Sequence, residues 1–194
     1  MEAIAAKPPI TPEEFYALGD AGKGFELIDG VLKETPMSTE SSYFGGKVYR
    51  ALDEYADASP GWAFPPETGF RCFPFDEGRV RKADAAFVHR ERLSLDQFRA
   101  GGFCRAVPAV VAEVISPNDL ADNVDLKVEE WLSAGVALVW VVSPQTRTVR
   151  AYDGDGTGRF LRMKDTLTGN GVLPGFELPL AKLFRLPPLA ASGS

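Results

Sequence analysis

Three charged residues, Asp84, Glu113 and Lys127, occur where charge is costly, inside or against apolar segments. Asp84 sits in RKADAAFV, residues 81–88, which reads as a strand. Glu113 interrupts AVVAEVI, residues 109–115, a run so β-branched and apolar that it reads as a central strand buried on both faces. A carboxylate there is expensive unless something pairs with it. Lys127 follows in DNVDLKVEEWLSAG, residues 122–135, where the helical period gathers Val124, Val128, Trp131 and Leu132 into one apolar stripe with Lys127 at its edge. From that position the lysine stem can lie along the core while its ammonium reaches a neighbouring group. Two acids and one lysine near a sheet edge suggest a divalent metal site with a nearby cation, the arrangement that phosphodiester hydrolysis needs.

Each of these residues also has a plainer reading. Asp84 suits a surface-facing strand position balanced by Arg81 or Lys82, and Lys127 suits a helix lysine that covers apolar surface and pairs with Glu130 or with Glu113 alone. Asp119, Asp122 and Asp125 read as loop and helix-start acids, with Asp122 as a candidate cap. His89 is the only histidine, at an expected strand end, so a site built from several histidines is excluded. Cys72 and Cys104 match no metal or redox spacing and read as core or partly buried thiols. Any metal here must be held mainly by oxygen.

The 194 residues, 45% of them apolar, suit one domain, with a core over about 10–185 and a loosely held tail over 186–194. The opening MEAIAAKPPI lacks the apolar and basic signature of a secretory signal, and no stretch reaches the length of a membrane span, so the expectation is a soluble cytoplasmic protein. A formal charge of −6 argues against a protein that holds nucleic acid through its overall charge. It leaves room for a local basic strip, and Arg71, Arg79, Arg81 and Lys82 all closely precede Asp84.

The elements that must position these residues follow from caps, turns and periodicity. Thr11-Pro12-Glu13-Glu14 predicts a helix start with a capping box. FELI and VLKE flank Asp29-Gly30, a strong hairpin signal that places Glu26 on the first strand. Residues 40–58 read as a packing helix through Phe44, Val48, Leu52 and Tyr55. WAFPPETGFRCF reads as a broken strand, and VRKADAAFV as a returning one in which Ala83, Ala85 and Phe87 share a face. A short helix is expected within 90–105. Residues 109–142 read as strand, helix, strand, which favours a parallel pair, with Glu113 and Val136–Val142 on central strands. Two antiparallel strands around DGDGTG, a turn at LPGF and a brief helix near Leu180–Phe184 complete the expectation.

The ordered set FELIDGVL, VRKADAAFV, AEVISPND with DLKVEEWLSAGVALVWVVSP, and VLPGFELPL resembles the Uma2-like proteins, a restriction-endonuclease-like family within the PD-(D/E)xK nuclease group. The resemblance implies a mixed α/β fold, a sheet flanked by helices, with a Mg²⁺-dependent nuclease site on one edge. Asp84 matches the aspartate of the PD element, with Ala83 in place of the proline. Glu113 matches the acid of the E-x-K element, Ile115 stands where its lysine is expected, and Lys127 matches a lysine displaced onto the next helix. Glu26 matches an N-terminal acid that completes the site. On this reading Asp84, Glu113 and the Val114 main-chain carbonyl hold Mg²⁺, or Mn²⁺ in its place, and Asp84, Glu113 and Lys127 are the catalytic set. The implied partner is nucleic acid, DNA foremost. Homo-oligomerisation is a lesser expectation, supported by apolar residues such as Trp62, Phe64 and Phe75. A non-catalytic binding or scaffold protein with a nuclease-like core, and a hydrolase of another phosphate ester, remain open alternatives.

Overall fold

The computed structural model describes residues 8–35, 37–117 and 119–188. The opening residues 1–7 and the tail residues 189–194 therefore lie outside the described residues. Helix α1 (Pro12–Ala17) starts with the expected capping box: Thr11 Oγ1 accepts from the Glu14 N–H at 3.2 Å, and Glu14 Oε2 accepts from the Thr11 N–H at 2.8 Å. A 3-10 turn, Gly19–Gly22, leads into β1 (Phe25–Ile28) and β2 (Val31–Glu34). This hairpin closes on Asp29-Gly30, both at positive φ (51° and 72°), as a two-residue turn requires.

Helix α2 (Thr39–Ala56) is capped by Ser38 and buries Phe44, Val48 and Leu52. Each such side chain removed from water contributes about 1.5–3 kcal/mol, enough to carry the two interior glycines Gly45 and Gly46, which cost about 1 kcal/mol each relative to alanine. Then come β3 (Gly61–Phe64), β4 (Gly69–Phe70), β5 (Arg81–Lys82), β6 (Ala85–His89), α3 (Leu95–Arg99), β7 (Val110–Val114) and α4 (Ala121–Ser133). The chain continues through β8 (Leu138–Ser143), β9 (Thr148–Asp153), β10 (Gly158–Leu161), β11 (Thr166–Gly169), β12 (Leu173–Pro179) and α5 (Leu180–Leu183).

A six-stranded mixed sheet in the order β10-β9-β8-β7-β6-β3 organises the molecule. β7 and β8 are parallel, and every other neighbouring pair in that sheet is antiparallel. The strand, helix, strand reading of residues 109–142 therefore holds, with β7 and β8 at the centre. α2 covers one face, where Phe44, Val48 and Leu52 meet Phe87, Ala112 and Trp140. α4 covers the other, where Val128 and Trp131 meet Ala86, Val111 and Val139. Among the described residues no helix is long and apolar enough to cross a membrane.

Three local expectations are corrected. RKADAAFV is two strands, β5 and β6, broken at Ala83–Asp84, and the break moves Ala83 onto the α4 face with Ala86 and Val88, away from Ala85 and Phe87. LPGF lies inside β12, and the turn falls earlier, at Asn170-Gly171, where both residues take positive φ. Asp122 sits in the first turn of α4, whose N-cap is Leu120 with no side-chain cap bond. Of the apolar residues that support the expectation of homo-oligomerisation, Trp62 stacks on Phe98 at 4.2 Å and Phe64 lies edge-on to Phe70, both partly buried, while Phe75 is exposed.

Candidate functional site

Glu113 enters the site because β7 alternates its faces. Val110, Ala112 and Val114 point to the α2 side, so Val111 and Glu113 point to α4. Two residues of α4 one helical turn apart meet its carboxylate: Lys127 Nζ donates to Oε2 at 2.8 Å and Trp131 Nε1 donates to Oε1 at 2.7 Å. Trp131 is wholly buried, and its polar atom was not legible in an apolar stripe. The tryptophan at four residues from a candidate lysine was the available signal.

Asp84 is fixed by the break between β5 and β6. Its own N–H donates to the Ala112 carbonyl at 3.0 Å, and its Oδ2 accepts from the Val114 N–H at 2.6 Å, so the side chain continues the ladder where the strand stops. Helix α2 allows this because its backbone passes close by at Gly45, where a Cβ would lie 3.3 Å from Asp84 Cβ. Oδ1 of Asp84 takes no hydrogen bond among the described residues, and Asp84 lines a cleft of about 670 Å³.

Glu26 arrives from the hairpin. The Leu27 and Val80 backbones exchange N–H···O bonds, both 2.9 Å, which docks β1 beside the start of β5. The ordinary fate of a hairpin glutamate is solvent, yet Glu26 is only 1% exposed. It accepts from the Lys82 N–H at 2.8 Å and from Arg81 at 2.7 Å, and lies 3.0 Å from Lys127 Nζ. Lys127 thus stands between Glu113 and Glu26 and also donates to the Lys82 carbonyl at 3.1 Å.

The plainer pairings are not the ones formed. Glu130 goes to Arg79 and Arg81, leaving Lys127 to the acids of the site. The local basic strip is neutralised along its length: Arg71 by Glu13, Arg79 by Asp29 and Asp76, Arg81 by Glu26, and Lys82 by Glu67. His89 ends β6, and its Nε2 donates to the Val172 carbonyl at 3.1 Å, away from the cleft. Asp119 caps its own loop by accepting from the Ser116 N–H at 2.7 Å, and Asp125 lies 3.3 Å from Arg150. Cys72 and Cys104 are free, and burial pushes the Cys72 thiol up to about 12.

Electrostatics follow from this geometry. Burial pushes Glu113 up to about 7 against the pull of Lys127, with the charge of Asp84 adding to the rise. Burial likewise pushes Asp84 up to about 6, again opposed by Lys127. Burial also acts upward on Glu26, but Lys127 and Arg81 together outweigh it and hold its carboxyl below the usual range. For Lys127, burial acts downward and is overcome by Glu113, Glu26 and Asp84, so its ammonium is held well above the ordinary lysine value.

The oxygen donors that line the cleft are of the kind a hard divalent cation takes. Among the described residues no group of three His, Cys, Asp or Glu side chains is disposed to hold a metal. Two carboxylates, Asp84 and Glu113, line the cleft together with Val114, and they would hold such an ion with water supplying the donors that the protein does not. Among the described residues the carboxylates of Asp84, Glu113 and Glu26 meet two cations, Lys127 and Arg81, which leaves three acids against two bases and one Asp84 oxygen without a hydrogen bond. That imbalance, with the raised Asp84 and Glu113, is what a cation would relieve.

A family model, Uma2, described as "Putative restriction endonuclease", matches residues 12–181. A solved structure from Anabaena variabilis ATCC 29413, described as "a putative nuclease belonging to DUF820", is similar with a TM-score of 0.74, 18% identity, and coverage of 91% of this chain and 98% of that one. At that identity the likeness carries the fold, a mixed α/β arrangement with a restriction-endonuclease-like core. Among curated proteins none matches the chain. Matched over most of its length by the family model and carrying that core, the chain belongs to the Uma2 family.

Proposed function

We propose that this protein is a divalent-metal-dependent phosphodiesterase that cleaves nucleic acid, DNA foremost, with Asp84, Glu113 and Lys127 as its catalytic residues. The observation that carries the reading is the convergence of these three residues, from the β5–β6 break, β7 and α4, on one cleft where the raised carboxylates of Asp84 and Glu113 lie beside a lysine that is ion-paired to Glu113. Asp84, Glu113 and the Val114 carbonyl would hold Mg²⁺ or Mn²⁺, with Glu26 in support through Lys127. Such an ion supplies Lewis-acid polarisation of the phosphate and a more acidic water.

Lys127 keeps its proton at neutral pH, so its role is that of a charge and hydrogen-bond donor to a phosphate oxygen or to the attacking water, and not that of a base. Trp131 and Lys127 together orient the Glu113 carboxylate. A second reading, a non-catalytic binding protein with a nuclease-like core, is favoured by the neutralised basic strip and by the engagement of Lys127 with two glutamates.

The test is a Mg²⁺ and Mn²⁺ screen on labelled supercoiled, linear and single-stranded DNA and on RNA, with D84A, E113A and K127A beside the parent. Cleavage should vanish in D84A and E113A, while K127A should fall roughly 10²-fold and still bind Mn²⁺ by calorimetry. Absence of metal-dependent cleavage from every substrate, or cleavage undiminished in E113A, moves the assignment to the binding protein.

A further inference from the structure

The cleft alone is a poor host for a polyanion. Eight carboxylates and five cations line it, and the nearby arginines are already paired. A second groove, of about 710 Å³, has the opposite character. It runs between α2 and the C-terminal segment and is lined by four cations, Lys47, Arg50, Lys182 and Arg185, against one carboxylate, Glu54. Arg50 pairs with Glu54 at 2.9 Å, whereas Lys47, Lys182 and Arg185 form no ion pair among the described residues. In a chain of net charge −6 this cluster is a local positive field to which an anionic partner is drawn.

Lys47 is anchored: its Nζ donates to the main-chain carbonyls of Lys182 at 3.1 Å and of Arg185 at 2.8 Å, which fixes a positive charge on the groove wall. Burial pushes its pKa down, and the neighbouring Arg185 charge adds to the fall. The exposed Tyr43 ring lies below the same ammonium, 5.5 Å from it, so the groove offers an aromatic face beside its cations. Cations that track a backbone, with an aromatic face for a base, are the recurring means of holding a nucleic-acid strand. The groove and the acidic cleft share helix α2. Ser41 of α2 lines the acidic cleft and Lys47 lines the groove, a separation of about 9 Å along one helix axis at 1.5 Å per residue.

We propose that the groove between α2 and α5, through Lys47, Lys182 and Arg185, binds the phosphodiester backbone of the nucleic-acid strand whose reacting phosphate occupies the Asp84–Glu113 cleft. This rests on the phosphodiesterase reading for the role of the cleft, but the groove is testable without it. Fluorescence anisotropy of a labelled single-stranded oligonucleotide, in EDTA and over a range of salt, would compare the parent with K182A/R185A and with R162A/K164A, which removes equal charge elsewhere on the exposed surface. Because both groove side chains are exposed and Lys47 is held by main-chain carbonyls, K182A/R185A should melt like the parent.

The expected result is binding about tenfold weaker in K182A/R185A, with the slope of log affinity against log salt reduced by about 1.4, and little change in R162A/K164A. No binding by the parent, equal binding by parent and groove variant, or equal losses in the two double variants would each overturn the groove. Cleavage assays on the same proteins separate the two readings. Cleavage abolished by E113A with unaltered binding in K182A/R185A removes the groove and keeps the phosphodiesterase. A groove effect in a parent that cleaves nothing does the reverse.

Discussion

Trp131 and Glu113 are joined by a buried hydrogen bond of 2.7 Å from indole N–H to carboxylate, and Lys127 takes the other oxygen of the same carboxylate from one helical turn earlier. One face of α4 therefore sets both the charge balance and the plane of Glu113. A buried hydrogen bond to a charged acceptor is worth about 1.5–3 kcal/mol, and leaving that acceptor short of a donor costs more than replacing both partners.

The substitution W131F keeps an aromatic ring in the core but removes the N–H. We expect it to lower stability by about 2–4 kcal/mol and to weaken Mn²⁺ binding, read by urea unfolding and calorimetry. W62F is the comparison, since Trp62 is partly buried and its indole donates to a neutral carbonyl, that of Leu93, at 3.2 Å. Equal losses in the two variants, or unchanged Mn²⁺ affinity in W131F, would count against a positioning role for the indole.

Stability should fall as pH rises through the range of the two site carboxylates. Asp84 and Glu113 stand at about 6 and about 7 in the fold, above their ordinary values of 3.8 and 4.5. A carboxyl raised on folding contributes stability that is complete below its unfolded pKa and lost as pH climbs through its folded one. Glu26, held low, acts in the opposite sense and contributes above its ordinary 4.5. Between pH 5 and 8 the parent should therefore lose on the order of 2 kcal/mol relative to E113Q, measured by urea unfolding at several pH values. Saturating Mn²⁺ should reduce that loss, because the ion favours the ionised carboxylates. Parallel pH profiles for parent and E113Q would refute the assignment.

The two adjacent glycines of α2 should respond differently to alanine. A Cβ at Gly46 meets nothing within 4 Å, so G46A should stabilise the protein by roughly 0.5–1 kcal/mol through helix propensity. At Gly45 a Cβ meets Asp84 Cβ at 3.3 Å, and Asp84 is tied on its far side to the Val114 N–H. G45A should gain nothing and should weaken Mn²⁺ binding by displacing the carboxylate. Thermal melts and Mn²⁺ calorimetry on the two variants check this, and a G45A protein as stabilised as G46A with full Mn²⁺ affinity would sink the account.

What the sequence determined by itself is what neighbouring residues decide. The Thr11 capping box, the Asp29-Gly30 hairpin, the packing stripe of α2 and the strand, helix, strand order around β7 and β8 each rest on local rules of caps, turns and period, and each is present in the fold. The placement of Lys127 at the edge of an apolar stripe was legible for the same reason, and it reaches Glu113 from there. Tertiary structure alone decided the rest, because those choices depend on partners far away in the chain. Docking of the hairpin on Val80 buried Glu26. The close pass of α2 at Gly45 left room for Asp84 in a break of what reads as one strand. Three-dimensional charge pairing also spent the local basic strip on carboxylates and left, among the described residues, cations without an ion pair between α2 and α5, which lie far apart in sequence. Local sequence cannot choose among such pairings, since every acid and base in the chain is a candidate until the sheet brings a few within hydrogen-bond range.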